Sequence, residues 1–436
     1  MLQEARQFVE RPLNFGPYHL RPDGRLRLPT GDEINLTRRL ARLLTELVAA
    51  NGNAVSRIDL LERCWGDRFV NDENLSRAIA DLRKIFREAR IDPIESVYGL
   101  GYRLSITDAA PDIDASAKRA ASFCREAWYR LYQRRAASLD SADQLFDLAA
   151  SENPDDIQVW LGIAETQFHR MQLAYASVVE AWARARAALD CALSIDPDSS
   201  DTLALLGLGL TWVEWDFLEA RPHLDRALRI DPDGYDSNQA SGWHHLSIGQ
   251  LESALKDFRR AIEIDPAAMP ARGILAVTLM YMGRSEDALS SARQLLALDP
   301  GGAVSQGYAT IIEATHGDPQ SAVESGKRSL QQLPESPVVG AILAYAMARA
   351  QQHSEARAVL DSLAKENTAG ALSAMACPAW LELGDSERAL TALEAAAALR
   401  CPWLPMLLHD PRIDSLRTEP LFRAIYKEIF GRLSEM

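Results

Sequence analysis

A proline that returns every 34 or 35 residues restricts what this chain can fold into more than any other feature. Pro197, Pro232, Pro266, Pro300 and Pro334 are separated by 35, 34, 34 and 34 residues. Such a period means one supersecondary unit repeated, each unable to bury its apolar face without its neighbours. Aligning on the proline brings other positions into register. Ala142, Phe146, Ala149 and Pro154 match Ala220, Leu224, Ala227 and Pro232, and again Ala254, Phe258, Ala261 and Pro266. Small residues at those points let the two helices of a pair approach closely, and the proline stops the second helix. The period predicts a helical solenoid over residues 117–403, with about eight units starting near 123, 157, 201, 235, 269, 303, 337 and 370. Extra residues around 172–180 should lengthen the helices or loop of the second unit. Residues 404–436 should form a closing helix over the last apolar face.

The first 106 residues lack this period. Residues 13–15, 18–20, 26–28 and 34–36 alternate apolar and polar side chains, with Gly16-Pro17, Pro22-Asp23-Gly24 and Pro29-Thr30-Gly31-Asp32 between them, which predicts a small antiparallel sheet. Thr37 then caps a helix with Leu40, Leu43, Leu44 and Leu47 inward, and Ser56 caps a shorter one that stops at Trp65-Gly66. After a polar loop, residues 70–87 (VNDENLSRAIADLRKIFR) place Leu75, Ile79, Leu82 and Phe86 on one helical stripe. The opposite face carries Arg77, Ala80, Asp81 and Lys84, with Arg83 and Arg87 towards the end. A hairpin over 94–106 closes the segment. Sheet, three helices and a terminal hairpin make a winged helix. Residues 107–116 (TDAAPDIDAS) have no apolar period and read as a linker.

Charge divides the chain the same way. Residues 1–106 hold 17 Lys and Arg against 15 Asp and Glu, and the remainder 30 against 46, within a total of −14. An acidic body repels phosphate, so nucleic-acid contact is expected of the head alone. Cys64, Cys124, Cys191, Cys377 and Cys401 are scattered and show no metal-binding spacing. The opening MLQEARQFVERP is mixed and charged, and the apolar runs are too short to span a bilayer, so neither a secretory leader nor a membrane anchor is expected. The expected location is cytoplasmic.

The INLT opening of the first helix, SRIDLLERCWG, NLSRAIADLRK and the terminal GLGYRL stand in that order, and with them the head resembles the OmpR/PhoB-type DNA-binding domain. The spacing NLxxAIxxLRK is most similar to the ToxR, CadC and HilA branch. The body resembles the tetratricopeptide repeat. The implied fold is multidomain: a small α+β winged helix-turn-helix, residues 1–106, followed by an all-α tetratricopeptide-repeat solenoid.

The first resemblance implies a recognition helix from Asn74 to Arg87, with Arg77 and Asp81 over base edges and Arg83, Lys84 and Arg87 near phosphates. It further implies that Thr37 and Trp65 donate to the backbone and that Arg103 steadies the wing. The loop containing Asp67, Arg68 and Asp72 corresponds to a segment that in this family can touch RNA polymerase. Two positions depart from the family pattern: the wing tip has Tyr98 and Leu100 where an arginine is common, and the recognition helix has Ala80 and Asp81 where basic residues are common.

Within the repeats, Phe168, Trp212, Trp243 and Met280 fall near groove-facing positions, with Glu165, Asp236 and Gln239 beside them. Such aromatics either anchor a peptide or small effector, or fill gaps between repeats. No phosphate-binding GxxxxGK[ST], GxSxG or HExxH occurs, and His244 and His245 are adjacent, so both cannot face one metal from a helix. Neither an enzyme, a cofactor nor a metal is expected. With no receiver segment ahead of the head, an aspartyl-phosphate switch is not expected within the chain. The expected partners are double-stranded promoter DNA, RNA polymerase, a second copy and a protein or small effector in the repeat groove. The rival expectation is an interaction scaffold whose head no longer binds DNA.

Overall fold

The computed structural model describes residues 12–15, 18–22, 24–28, 33–65, 72–88, 93–97, 101–104, 115–366 and 371–433. Four three-residue strands, β1 (Leu13–Phe15), β2 (Tyr18–Leu20), β3 (Arg25–Arg27) and β4 (Glu33–Asn35), pair antiparallel in chain order. The register sets Leu20 opposite Leu26 and Leu26 opposite Ile34, so one face of the sheet is apolar. Helix α1 (Arg38–Ala49) follows, with the Thr37 hydroxyl accepting from the Leu40 N–H at 3.3 Å as its cap.

Strand β5 (Val55–Ser56) then leads into α2 (Arg57–Trp65). Ser56 Oγ accepts from the Asp59 N–H at 3.0 Å and donates to the Asp59 carboxylate at 2.7 Å, a reciprocal arrangement that holds the start of α2. Helix α3 (Asp72–Glu88) and the pair β6 (Ile94–Val97) and β7 (Gly101–Leu104) complete the head, with β7 central between β5 and β6. A side chain at Gly101 would collide with the Val55 carbonyl, so this strand pair needs glycine there. The first sheet meets α3 on Tyr18, which stacks on Phe15 at 5.3 Å between ring centres and meets Phe86 of α3 edge-on at 5.0 Å.

From residue 115 the described chain is helical throughout. Eight antiparallel pairs follow: α4 (Ala115–Gln133) with α5 (Ala136–Glu152), α6 (Ile157–Gln172) with α7 (Val178–Ile195), α8 (Ser200–Gly209) with α9 (Phe217–Ile230), and α10 (Tyr235–Ser247) with α11 (Leu251–Ile264). Then come α12 (Met269–Tyr281) with α13 (Ser285–Leu298), α14 (Ala303–His316) with α15 (Pro319–Gln332), α16 (Pro337–Arg349) with α17 (His353–Glu366), and α18 (Ala371–Glu382) with α19 (Ser386–Ala398).

Ala220, Ala254, Ala288, Ala322 and Ala356 occupy one position of successive units and have no exposed surface, which is where the helices of a pair come closest. Helix α8 runs on into one wider turn, Leu210–Glu214, and ends on Trp215 in the left-handed conformation, φ 56°. Trp212 lies within that turn and lines the inner face.

Two features depart from a plain open spiral. The extra residues after α6 do not lengthen its pair alone: the Gln172 carbonyl accepts from the Trp403 indole N–H at 3.0 Å, and the Leu173 carbonyl from Ser336 Oγ at 3.3 Å, joining residues 231 and 163 positions apart. The segment expected as a single closing helix is instead α20 (Leu404–Leu407), a 3-10 turn (Pro411–Leu416) and α21 (Pro420–Phe430). Pro405, Pro411 and Pro420, each in the first turn of its element, explain the division. Phe430 stacks on Phe217 at 5.5 Å, so the end of the chain reaches back to the third pair.

Candidate nucleic-acid interface and repeat groove

Helix α3 is two-faced. Leu75, Ala78, Ile79, Leu82 and Phe86 are buried in the head's core, whereas Arg77, Ala80, Asp81 and Lys84 are exposed. Arg57 ties the helix to the wing, donating to Tyr102 Oη at 2.7 Å and to Ser76 Oγ at 2.9 Å.

The other expected contacts are distributed unevenly. Arg83 turns inward and donates through Nη2 to the Ile94 carbonyl at 2.9 Å, so its guanidinium braces the wing. Arg103 is exposed but paired with Glu95, Nε to Oε2 at 2.7 Å. Trp65 is buried in the head's core, with the Arg39 guanidinium 5.4 Å over its ring. The Thr37 hydroxyl caps α1. Asn74, Arg87 and Asp72 lie on α3, their side chains outside the described residues; Asp67 and Arg68 lie outside the described residues altogether.

Helix α1 lies against the repeats. Arg38 hydrogen-bonds the Tyr132 hydroxyl of α4, and Arg42 sits 5.6 Å over the same ring. A small cleft between the two domains is lined by Arg38, Arg39, Arg42, Trp65, Tyr132 and Asp265. Two of the expected phosphate donors, Thr37 and Trp65, therefore stand at or next to the seam with the solenoid.

On the inner face of the solenoid is a cavity of about 230 Å³. Phe168, Trp212 and Trp243 line it, as expected, and form one cluster: Phe168 to Trp212 is 6.0 Å and Trp212 to Trp243 is 5.0 Å between ring centres, both edge-on. Met280 does not line it. The α12 residues that do are Pro270, Ile274, Val277 and Tyr281, three or four apart, and Met280, one position and about 100° round the helix from Tyr281, packs into the core behind.

No repeat position singles out Trp403, whose ring lies 6.2 Å from Trp212 and 5.7 Å from Trp243 and closes the cavity from the C-terminal side. Its only signal was position, between two prolines beyond the last repeat.

Glu165 and Asp236 lie at the end of the cavity where Arg38 enters. Burial pushes the Glu165 carboxyl up to about 8 and raises that of Asp236, while the Arg38 guanidinium opposes both shifts. Two acids so placed favour a cation among them.

Behind the cavity, His244 is buried and its Nδ1 meets Thr211 Oγ1 at 3.0 Å. Burial first, then His245 and Arg221, lower it to about 3; burial and Arg417 lower His409 to about 4. Both are depressed below the unfolded value, so their contribution to stability is whole above pH 6.5 and is lost as pH falls towards 4. We expect the thermal midpoint to drop over that window and His244→Gln to flatten the drop, by on the order of 2 kcal/mol at pH 4. An equal slope in the variant would refute this assignment.

Fold and site together define a winged helix joined to a helical-repeat solenoid. Residues 31–104 match the family described as "Transcriptional regulatory protein, C terminal", and residues 216–268 and 275–337 match "Tetratricopeptide repeat". The chain thus carries an OmpR/PhoB-type winged-helix domain followed by tetratricopeptide repeats; neither family is an enzyme family. Over 92 residues it is 38% identical to the transcriptional regulator HilA of Salmonella typhimurium, a match covering 21% of this chain and 16% of that protein, and equally similar to HilA of Salmonella typhi.

Among solved structures, Cut9–Hcn1 of the APC/C hetero-tetramer matches at 12% identity and TM-score 0.48, covering 83% of this chain and 60% of that one. Yeast Tom70 matches at 15% and 0.43, covering 90% and 84%. No helix among the described residues is long and apolar enough to cross a membrane.

Proposed function

We propose that this chain is a sequence-specific, cytoplasmic transcription regulator whose α3 enters the major groove of promoter DNA. The observation that carries the reading is the two-faced character of α3: its apolar stripe is consumed by the head's core, which leaves Arg77, Ala80, Asp81 and Lys84 facing outward on a helix of the right width for that groove. Arg77 and Asp81 would read base edges, Asp81 accepting from a cytosine amino group, and Lys84 and Arg87 would contact phosphates. With Arg83 and Arg103 engaged inside the head, few phosphates are neutralised by one copy. A pair of heads on half-sites about one helical turn apart supplies the remainder. The similarity to HilA over the head supports the regulator class. For the direction of control we take activation, the head and the segment ahead of α3 offering contact to RNA polymerase while the repeat groove receives a protein or small effector.

Selection of bound fragments from the source genome by the full chain tests this. The wild type should enrich a repeated motif, and Arg77→Ala/Lys84→Ala should lose it, by about 1–3 kcal/mol for a base contact plus a shallower salt dependence. The second reading, a scaffold, draws on the docking of α1 against the repeats. It gains if neither protein enriches any sequence at low salt.

A further inference from the structure

The cavity inside the solenoid has an aromatic wall and an acidic end, and of the cations that act on that end, Arg134 belongs to the solenoid and Arg38 is supplied by a different domain. Phe168, Trp212, Trp243 and Trp403 form the wall. Glu165 and Asp236 form the acidic end, and the Arg38 guanidinium of the head is electrostatically engaged with both as well as with Tyr132. Aromatic faces and carboxylates are the two environments that hold an organic cation best. The volume decides the size: an apolar cavity of ~150 Å³ takes one benzene ring, so about 230 Å³ leaves room for a ring and a short charged arm but not for a folded peptide.

We infer that the cavity is a binding site for a small organic cation with an apolar body, an arylalkyl amine or guanidine, whose charged end takes the place of Arg38 between Glu165 and Asp236. This inference rests on the effector reading of the groove given above, and specifies its chemistry. Arg38 is the tethered stand-in for the ligand. Because Arg38 opens α1, a ligand that displaces it also removes the hydrogen bond of α1 to Tyr132, leaving Arg42 over that ring, and the seam covering Trp65 loosens. Ligand binding and head docking exclude one another, and the occupied protein has its head released from the acidic solenoid, whose Asp265 otherwise lines the cleft beside Trp65.

The full-length chain is titrated calorimetrically with phenethylamine, 2-phenylethanol and phenylacetate, which share a ring and differ in charge. The amine should bind at least tenfold more tightly than the alcohol, and the acid not at all. Arg38→Met should tighten the amine about tenfold, since the cation of the head no longer competes while Arg134 is unchanged, and Glu165→Gln/Asp236→Asn should weaken it by at least as much. Amide hydrogen exchange over residues 38–49 should accelerate on adding the amine to wild type and be fast without it in Arg38→Met.

Equal binding of amine and alcohol overturns the cation assignment while leaving the groove as an apolar effector site. No binding by any of the three at millimolar concentration overturns the site itself. If the double carboxyl variant fails to fold, Arg38→Met decides alone: amine affinity unchanged from wild type overturns the competition. None of these measurements involves DNA, so their failure is separate from failure of the regulator reading, which fragment selection tests.

Discussion

Arg412→Ala is expected to destabilise the solenoid by about 3–5 kcal/mol, an effect far beyond that of an ordinary surface substitution. Asp410 is wholly buried, and Arg412 surrounds it: the Arg412 N–H donates to Oδ1 at 2.8 Å, and its guanidinium reaches both carboxylate oxygens, Nη2 to Oδ2 at 2.6 Å. Tyr281 of α12 adds a hydroxyl donor at 3.0 Å, and the Arg412 guanidinium lies 4.8 Å over the Tyr345 ring of α16. The Asp410 side chain also caps the 3-10 turn that follows.

The cluster therefore fastens the terminal segment to helices of two distant repeats. Removing the guanidinium leaves a buried carboxylate without its counter-charge, which costs more than the pair contributes. Asp410→Asn/Arg412→Met, which removes both charges together, should lose markedly less than Arg412→Ala. The urea midpoint of the helical transition measures both. If the double variant is as damaged as the single, the cost comes from lost packing rather than from the stranded charge.

Trp212→Ala is expected to cost about 3–5 kcal/mol, the range for deleting a large core aromatic. Trp212 is the largest fully buried side chain in the described chain, and three of its ring neighbours come from three different elements: Phe168 on α6, Trp243 on α10 and Trp403 ahead of α20. Deletion would merge its own volume with the cavity beside it, and Trp403 would lose a neighbour across the lumen. The same thermal or urea measurement reads the loss, and Trp212→Phe should recover a large part of it because one ring still fills the site. A cost below about 1 kcal/mol would mean that the cluster closes over the gap and is not the brace that the geometry suggests.

Of the two predictions, the first concerns a contact that no periodic pattern could signal, and the second a residue expected at the groove. Trp243 was legible because the 34-residue period fixes which position of each unit faces inward, whereas Trp212 stands 31 residues ahead of it, off that period, and lines the groove from the wider turn that ends α8. Met280 shows the limit of that reading: at 3.6 residues per turn, a one-residue error moves a side chain from groove to core, and Tyr281 holds the position instead. In the head, the stripe Leu75, Ile79, Leu82 and Phe86 gave the buried side of α3, and hence the outward Arg77 and Lys84. Nothing local could say that Arg83 would turn back to the Ile94 carbonyl, since its partner comes from a strand eleven residues on whose approach depends on the whole wing.

What the sequence determined by itself was the class of each part: a winged helix, set by the order of alternation, caps and amphipathic stripe, and a repeat solenoid, set by a period carried by proline and alanine. Those are short-range properties, in which each residue's neighbours along the chain decide its role. The tertiary structure alone decided that the solenoid closes, through Trp403 and Ser336 meeting the segment after α6, that Asp410 and Arg412 lock the terminus between distant repeats, and that Arg38 of the head enters the cavity beside Glu165 and Asp236. Each of these joins residues from distant parts of the chain or from different elements. The small rotation between neighbouring units accumulates over several repeats before it brings such partners together, and no local pattern of side chains records that sum.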